Sequence, residues 1–377
     1  MTWKIPLFKI SWDESDVRHV EAVIRSGMSW ADGPDIPEFE RRIADFTVSP
    51  FCLTFNSGTS ALHALLQAYG IGAGDEVIVP SFTFVATANA PLFVGARPVF
   101  ADIEDVTFGL DPEEVVKRIT GHTKAIIPVH YAGCPCRIRE LREISEDHHL
   151  ILIEDAAESF GADILGQKTG TFGDAGVFSF CQNKIITTGE GGAVITGDSE
   201  LHDRLKLIRS HGRLEAGNYF SSTESMDYVT LGFNFRLSSI SAALGTGQME
   251  KVADLIHRRR QRAAYYRHVL GGFAGCRCPE PPRGYSHVYQ IFSILASNRD
   301  ELMKYMQELG IMTKVYFPPV HETSFYRKIL GYEDHLPVTE RVAGEILSLP
   351  FHADILDEEM DMVAQSIGSF GEVKKNE

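Results

Sequence analysis

Apolar and polar positions alternate along the first half of the chain in the manner of repeated strand–helix–strand units. Short runs rich in β-branched or apolar residues are predicted to be strands. Several are apolar almost throughout, which is typical of strands covered by helices on both faces. These runs, between residues 50 and 200, are FCLTF, DEVIVP, RPVFAD, TKAIIPVH, LILIED, AGVFSF and GGAVITG. The pattern predicts an α/β fold with a mostly parallel central sheet.

Helical periodicity appears between and after these runs, in SALHALLQAYG, EEVVKRI, IRELREISEDH and the longer SSISAALGTGQMEKVADLIHRRRQRAAYYRHVL. A Pro- and Gly-rich stretch follows, then an alternating strand (VYQIFSILA), a helix (DELMKYMQELG), a loop (YFPPVH) and a last helix. We therefore predict a large domain over residues 1–245 and a small α+β domain over residues 246–377. The segment 1–14 is expected to pack on the small domain.

Composition and charge narrow the class of protein. A chain of 377 residues exceeds what one core usually supports, and 44% hydrophobic with 23% charged residues is ordinary for a folded globular protein. The formal charge of −15 argues against broad contact with nucleic acid or an anionic membrane. No apolar run approaches the roughly 18 residues that span a bilayer. Since the start also lacks the features of a secretory signal, we expect a cytoplasmic protein.

The cysteines do not indicate a disulfide scaffold or a metal site. Six cysteines in a chain of this length are expected to be thiols in a reducing compartment. Cys134 with Cys136, and Cys276 with Cys278, are separated by one residue. Zinc ligands usually have two to four residues between them. No metal is therefore predicted.

Three segments carry residues suited to chemistry, and each has a structural alternative. In NSGTSALHALL a turn with Gly58 precedes a helix whose free N–H groups favour a phosphate, although Ser57 or Thr59 could simply cap that helix. In LILIEDAAESFGA, Asp155 ends a buried strand and could hold a pyridine nitrogen protonated; it could equally be a capping acid or metal ligand. In FSFCQNKIITTGEGG, Lys184 has apolar sequence neighbours, and a partly desolvated amine can attack an aldehyde. Isolated lysines are otherwise mostly solvated surface residues.

The order of these segments resembles that of the fold type I pyridoxal-phosphate (PLP) enzymes, and within them the DegT, DnrJ, EryC and StrS family of sugar aminotransferases. The resemblance implies PLP as cofactor and an aspartate aminotransferase-like fold, with a large α/β/α domain and a small α+β domain. EDAAESFGA and NKIITTGEGG are especially similar to perosamine synthases. The resemblance runs through IPLF, GPDIPEFERRIADF, NSGTSAL, PSFTFVATANA, EDAAESFGA, FGDAGVFSF, NKIITTGEGG, GFNFRLS, YFPPVH and LSLPFH.

The resemblance assigns the cofactor contacts residue by residue. Lys184 would bond PLP and move protons, and Asp155 would pair with the pyridine nitrogen. Thr59 and Ser60 would meet the cofactor phosphate. Ser179 would bind the same phosphate, although a hydroxyl in a buried strand is more often satisfied within the protein.

Three further residues would contact the cofactor. Phe84 would stack on its ring, where a Phe after a strand is otherwise usually core. Asn234, otherwise a solvated loop residue, would reach the phosphate from the neighbouring subunit, so the active sites would be shared in a homodimer. Glu158 would face the phenolic oxygen, where many relatives carry Gln or His and perosamine synthases carry Glu. A carboxylate there would have to be protonated or otherwise compensated.

Two histidines are candidates for contact with the sugar nucleotide. His321, in YFPPVH, matches a position near that pocket, although a lone histidine beside a Pro-rich loop is more often structural. His130 and Tyr131 follow a strand end and could line the pocket. Nothing in the local sequence decides their roles.

The implied reaction moves an amino group from L-glutamate to a 4-keto-6-deoxy sugar nucleotide, with GDP-4-dehydro-6-deoxy-D-mannose, giving GDP-perosamine, as the expected acceptor. A UDP- or dTDP-linked keto sugar is the alternative acceptor. A regulatory protein that binds PLP without turnover is a further alternative. A 3-dehydratase of this family would carry a histidine in place of Lys184. A nicotinamide dehydrogenase is disfavoured because no G-x-G-x-x-G turn joins the first strand and helix.

Overall fold

The computed structural model describes residues 3–214, 223, 225–271, 273 and 275–376. Within these ranges the α-helices are α1 (Glu14–Ser26), α2 (Asp35–Thr47), α3 (Gly58–Ala68), α4 (Val85–Phe93), α5 (Pro112–Arg118), α6 (Ile138–Asp147), α7 (Ser199–Arg209), α8 (Ser239–Glu250), α9 (Val252–Leu270), α10 (Arg299–Glu308), α11 (Pro337–Glu345) and α12 (Asp357–Asn376). None of the helices described combines the length and apolar character needed to cross a membrane.

The strands form one large and two small sheets. They are β1 (Phe51–Phe55), β2 (Glu76–Pro80), β3 (Arg97–Ala101), β4 (Thr123–Ile126), β5 (Ile151–Asp155), β6 (Asp163–Ile164), β7 (Gln167–Lys168), β8 (Ala175–Ser179), β9 (Gly192–Thr196), β10 (Cys276–Arg277), β11 (Tyr285–Ser286), β12 (Phe292–Ala296) and β13 (Ile346–Leu349). The small sheets have the orders β10-β12-β13 and β11-β6-β7.

The large sheet contains all the strands predicted between residues 50 and 200, in the order β1-β9-β8-β5-β4-β2-β3. Strand β9 is antiparallel to both of its neighbours, and every other adjacent pair is parallel. The prediction of a mostly parallel sheet is confirmed. Because all strands except β9 run the same way, their carboxyl ends meet at one edge.

Helices cover both faces of this sheet, which explains why its strands are apolar nearly throughout. Along β2, Val77 and Val79 belong to one buried cluster, together with residues of α3, α4 and α7. Ile78, between them, belongs to another cluster with residues of α5 and α6. Successive strand side chains point to opposite faces, so the two clusters lie on opposite sides of the sheet. Burial of each such side chain contributes about 1.5–3 kcal/mol.

The long helical pattern over residues 238–270 forms two helices, α8 and α9, that meet at Lys251. Its backbone leaves the helical region, with φ −117° and ψ 6°. The Lys251 ammonium pairs with the carboxylates of Asp13, at 3.0 Å, and Asp16. Because these partners lie far away in sequence, helical periodicity could not show the break.

The C-terminal region packs α9, α10 and α12 around the β10-β12-β13 sheet. The start of the chain joins this region: Ile5 is buried in the same cluster and bridges to Ile311, and the Leu7 carbonyl accepts a hydrogen bond from the Phe351 N–H. Residue 245 lies inside α8. The division into two domains at that residue stays a prediction.

Candidate active site

A pocket of about 750 Å³ opens where the carboxyl ends of the parallel strands meet. This is the edge at which open α/β sheets bind ligands. The residues that follow β1, β2, β5 and β8 line it, and the loop after β8 adds Lys184. Of the predicted cofactor residues, the pocket brings together Thr59, Phe84, Asp155, Glu158, Ser179 and Lys184.

The start of α3 forms one wall of the pocket. The Ser57 Oγ accepts a hydrogen bond from the Ser60 N–H at 3.1 Å, so Ser57 is the helix cap. Gly58 and Thr59, in the first helical turn, line the pocket beside Ser179. A Cβ on Gly58 would lie 3.3 Å from the Ser179 Cβ, so a side chain there would crowd this hydroxyl. The first N–H groups of a helix lack partners within the helix, and they favour an anion together with the nearby hydroxyls.

Ser60 does not line the pocket, contrary to the expectation that it meets the phosphate. Its side chain is buried, and its hydroxyl lies 2.6 Å from the Asn56 Oδ1, to which it donates. The hydroxyl is therefore used inside the turn, where it fixes the shape of the segment before α3. At the start of α3, Gly58 and Thr59 line the pocket in its place.

Asp155 ends β5 at the bottom of the pocket, with 5% of its surface exposed. Burial raises the pKa of Asp155, while a hydrogen bond from the Thr87 hydroxyl and the charge of Lys184 oppose that rise. The Thr87 Oγ1 donates to the Asp155 Oδ2 at 2.7 Å, and the Ala157 N–H donates to Oδ1 at 3.2 Å. Thr87 was not among the site residues predicted from the sequence. A buried carboxylate that still faces the pocket is suited to pair with a ring N–H.

Lys184 has an acidic neighbour in space that its sequence neighbours did not reveal. Its Nζ lies 3.5 Å from the Glu158 Oε1, and both side chains are largely buried. The other oxygen, Oε2, accepts the Ala132 N–H at 2.8 Å. The Glu158 carboxylate therefore has an ion pair on one oxygen and a hydrogen bond on the other. These two contacts offset the cost of burying its charge beside the expected position of the cofactor. The ion pair also fixes where the amine lies in the pocket.

His130, which was predicted to contact the substrate, does not line this pocket. Its ring is fully buried. The Nδ1 accepts the Cys136 N–H at 3.1 Å, which leaves the Nε2–H to donate to the Glu154 Oε2 at 2.9 Å. Glu154 also accepts backbone N–H groups of the 170–173 turn. His130 therefore anchors this turn to the end of the sheet.

His321 is buried just behind the pocket wall, of which Val320 and Thr323 are part. Its Nδ1 lies 2.7 Å from the Ser81 Oγ, and its Nε2 lies 3.5 Å from a Glu340 oxygen. It does not face the pocket, contrary to the expectation of a substrate contact.

The same histidine belongs to a cluster of possible metal ligands. Within the described ranges, His321, Glu322 and Glu340 have ligand atoms within 4.8 Å of one another. Neither of the cysteine pairs belongs to such a group in the part of the chain that the structure describes.

The residues that line the pocket fit PLP. Lys184 offers an amine to the aldehyde, and Asp155 offers a buried carboxylate to the ring nitrogen. The start of α3, with Thr59 and Ser179, offers N–H and hydroxyl donors to the phosphate. Phe84, which follows β2, adds an aromatic face. Each chemical part of the cofactor has a matching group in one cavity.

Comparison with known proteins shows the family that the chain resembles. A model of the DegT/DnrJ/EryC1/StrS aminotransferase family matches residues 11–368. The chain is 37% identical over 342 residues to a GDP-perosamine synthase of Caulobacter vibrioides, covering 89% of this chain and 90% of that protein. It is 38% identical over 313 residues to a UDP-N-acetyl-3-dehydro-alpha-D-glucosamine 3-aminotransferase of Acidithiobacillus ferrooxidans, covering 82% of each.

A solved structure gives the same result for the fold. The PLP form of a putative sugar aminotransferase, Spr1654 of Streptococcus pneumoniae, superposes with a TM-score of 0.92 at 26% identity, over 98% of this chain and 99% of that one. The predicted aspartate aminotransferase-like fold and the predicted cofactor, PLP, are confirmed.

Proposed function

The chain belongs to the DegT/DnrJ/EryC1/StrS aminotransferase family, and we propose that it transfers an amino group from L-glutamate to GDP-4-keto-6-deoxy-D-mannose. Membership makes it a PLP-dependent sugar aminotransferase. The observation that carries the proposal is the pocket in which Lys184, paired with Glu158, lies with Asp155. Family membership does not specify the amino donor or the individual sugar, so both belong to the proposal.

In this proposal each residue of the pocket has one task. Bound PLP supplies an electron-withdrawing ring that stabilises negative charge on the carbon losing its proton. The Lys184 Nζ removes that proton from the amino donor and delivers one to the sugar carbon in the second half of the reaction, so one general base serves both halves. Glu158 holds Nζ in place through the ion pair at 3.5 Å. Asp155 keeps the ring nitrogen protonated, with Thr87 orienting its carboxylate.

The preference for the GDP-linked sugar rests on Glu158 and on the segments that resemble perosamine synthases. Overall identity does not select the acceptor, because two relatives at 37% and 38% identity are named for different nucleotides and different sugars. A UDP- or dTDP-linked keto sugar is therefore the second candidate.

We expect glutamate to bleach the absorbance of the PLP-loaded protein, and GDP-4-keto-6-deoxymannose alone among GDP-, UDP- and dTDP-linked keto sugars to restore it. The measurement is a spectrum after each addition, with the amino sugar identified by mass. Restoration by a UDP- or dTDP-linked sugar would keep the aminotransferase and refute the acceptor. A spectrum indifferent to glutamate and to every sugar would favour the regulatory alternative.

We also propose a homodimer in which Asn234 serves the partner's site. The Asn234 side chain is exposed and does not line its own pocket. Its carbonyl accepts a hydrogen bond from the Asn56 Nδ2 at 3.2 Å, so this contact within the chain uses the Asn234 backbone and leaves the exposed side chain for a second subunit. The nearby Leu231 is 72% exposed, and Phe84, at the pocket, is 58% exposed. Exposed apolar surface beside an active site is what a second subunit would cover.

Mixed subunits test the shared site. We expect Lys184→Ala and Asn234→Asp proteins each to lose most activity, the second because a carboxylate would repel the phosphate. A mixture refolded together should regain about a quarter of wild-type activity: about half of its dimers would be mixed, each with one intact site. A monomer in light scattering, or a mixture no more active than its parts, would refute the proposal.

A further inference from the structure

One of the two lysines that line the pocket has no carboxylate partner among the described residues. Glu158 pairs with Lys184, and Asp155 accepts the Thr87 hydroxyl at 2.7 Å. A third acid at the pocket, Glu190, accepts a hydrogen bond from the Cys181 thiol. A sugar nucleotide brings a diphosphate, whose charge is costly to remove from water unless a cation meets it. Lys184, which is already paired with Glu158, does not supply that cation.

Lys314 is the remaining lysine that lines the pocket. Its side chain is exposed, and its Nζ lies 4.7 Å from the centroid of the Tyr316 ring. No carboxylate of the described residues forms an ion pair with it, whereas Lys184 has Glu158. The backbone of Lys314 is held on both sides by Ser348 of β13, with N–H to carbonyl distances of 3.1 and 2.8 Å. A fixed backbone therefore presents at the rim an ammonium that has no carboxylate partner among the described residues.

The exposures of the two lysines place Lys314 outward from the reacting amine. The Lys184 side chain is 15% exposed, whereas Lys314 is exposed and its ammonium lies against the ring of Tyr316, which also lines the pocket. The Lys314 ammonium therefore lies nearer the rim, and the Lys184 amine lies deeper. A substrate whose keto carbon reaches Lys184 must extend outward through its sugar ring, so its diphosphate comes near the rim. An amino acid donor is shorter and can be held deeper.

We propose that Lys314 binds the diphosphate of the nucleotide-linked sugar. The inference rests on the proposed function, since it takes the acceptor to be a sugar nucleotide. Lys314 would then set the affinity for the acceptor and leave the amino donor unaffected. Because the diphosphate is common to all nucleotide sugars, the role does not depend on which base or sugar is attached.

The test is Lys314→Met in the PLP-loaded enzyme, with Lys304→Met as the matched control. Lys304 is an exposed lysine on α10, away from the pocket. Binding of GDP, UDP and dTDP is measured by calorimetry at low and high salt, and the glutamate half-reaction by absorbance. We expect Lys314→Met to weaken binding of the preferred nucleoside diphosphate about tenfold at low salt and less at high salt, as for a solvated charge pair. Lys314→Arg should retain most of the affinity.

The outcomes separate this role from the alternatives. A slower glutamate half-reaction with unchanged diphosphate binding would overturn the proposal and assign Lys314 to the donor carboxylate. Unchanged binding and unchanged half-reactions would overturn it as well. A wild-type enzyme that binds a nucleoside diphosphate but turns over no keto sugar would instead refute the proposed function, while the binding comparison would still test Lys314.

Discussion

Lys184→Ala should lower turnover with glutamate and keto sugar by about a thousandfold or more, since a positioned general base alone contributes about 10²–10⁴. The structure gives this lysine the position the role requires: its side chain is 15% exposed, and its Nζ lies 3.5 Å from Glu158. The same variant also loses the covalent bond to PLP. Rates of both half-reactions at saturating PLP measure the effect.

Lys184→Arg is the matched control for charge. It keeps a cation beside Glu158, so the ion pair and the fold should survive, but a guanidinium stays protonated and cannot act as a base. We expect it to be as inactive as the alanine variant and closer to wild type in thermal stability. If either variant kept more than about a tenth of wild-type turnover, Lys184 could not be the base whose contribution was estimated above.

The large sheet could be predicted because the apolar sequence of each strand itself indicates that the strand is buried. In β2, Val77, Ile78 and Val79 are all apolar, since both faces are covered. The reversed direction of β9 was not predictable in this way, because its pairing with β1 and β8 depends on how the chain crosses between distant segments. The break at Lys251 could not be predicted for a similar reason. Asp13 and Asp16, which form ion pairs with its side chain, are remote in sequence.

The residues of the candidate site also differ in how far the sequence could predict their placement. Asp155 is the last residue of β5, and Thr59 and Lys184 lie in the segments that follow β1 and β8. A strand end marks the ligand edge of a parallel sheet, so the placement of these residues at the pocket could be predicted from the sequence. Position along the chain did not predict where the two histidine side chains lie. His130 follows a strand end but turns to Glu154, and His321 turns to Ser81 and Glu340, because buried polar groups take the nearest partners in space. A single sequence does not show those partners.

The contacts between functional residues were likewise hidden. Thr87 lies in the recognised segment PSFTFVATANA, yet only the fold brings its hydroxyl to the Asp155 carboxylate. The Ala132 N–H reaches Glu158 from the turn after another strand. The resemblance to a known family therefore selected the candidate residues, and long-range packing determined their contacts and orientation.

Asp155→Asn should reduce turnover by about 10²–10³-fold, the usual effect of removing one preorganised electrostatic contact, because a neutral amide cannot hold the ring nitrogen protonated. The stability of the PLP-free protein should change in the opposite direction. Burial raises the pKa of Asp155 in the folded state. The folded chain therefore binds this proton more tightly than the unfolded chain. The contribution of Asp155 to stability is present below the ordinary aspartate pKa and is lost as pH rises through the raised value.

At neutral pH the asparagine, which needs no proton, should leave the PLP-free protein at least as stable as wild type, and the difference should shrink as pH falls through the raised pKa of Asp155 and the aspartate takes up its proton. Thermal unfolding of both proteins from pH 4 to 8, beside the two half-reaction rates, measures both effects. Thr87→Val is the control, because it removes the 2.7 Å hydrogen bond while keeping the carboxylate, and it should lose less activity. An asparagine variant that is inactive and also unstable at neutral pH would show that Asp155 supports the fold, and one with unchanged turnover would refute its role at the ring nitrogen.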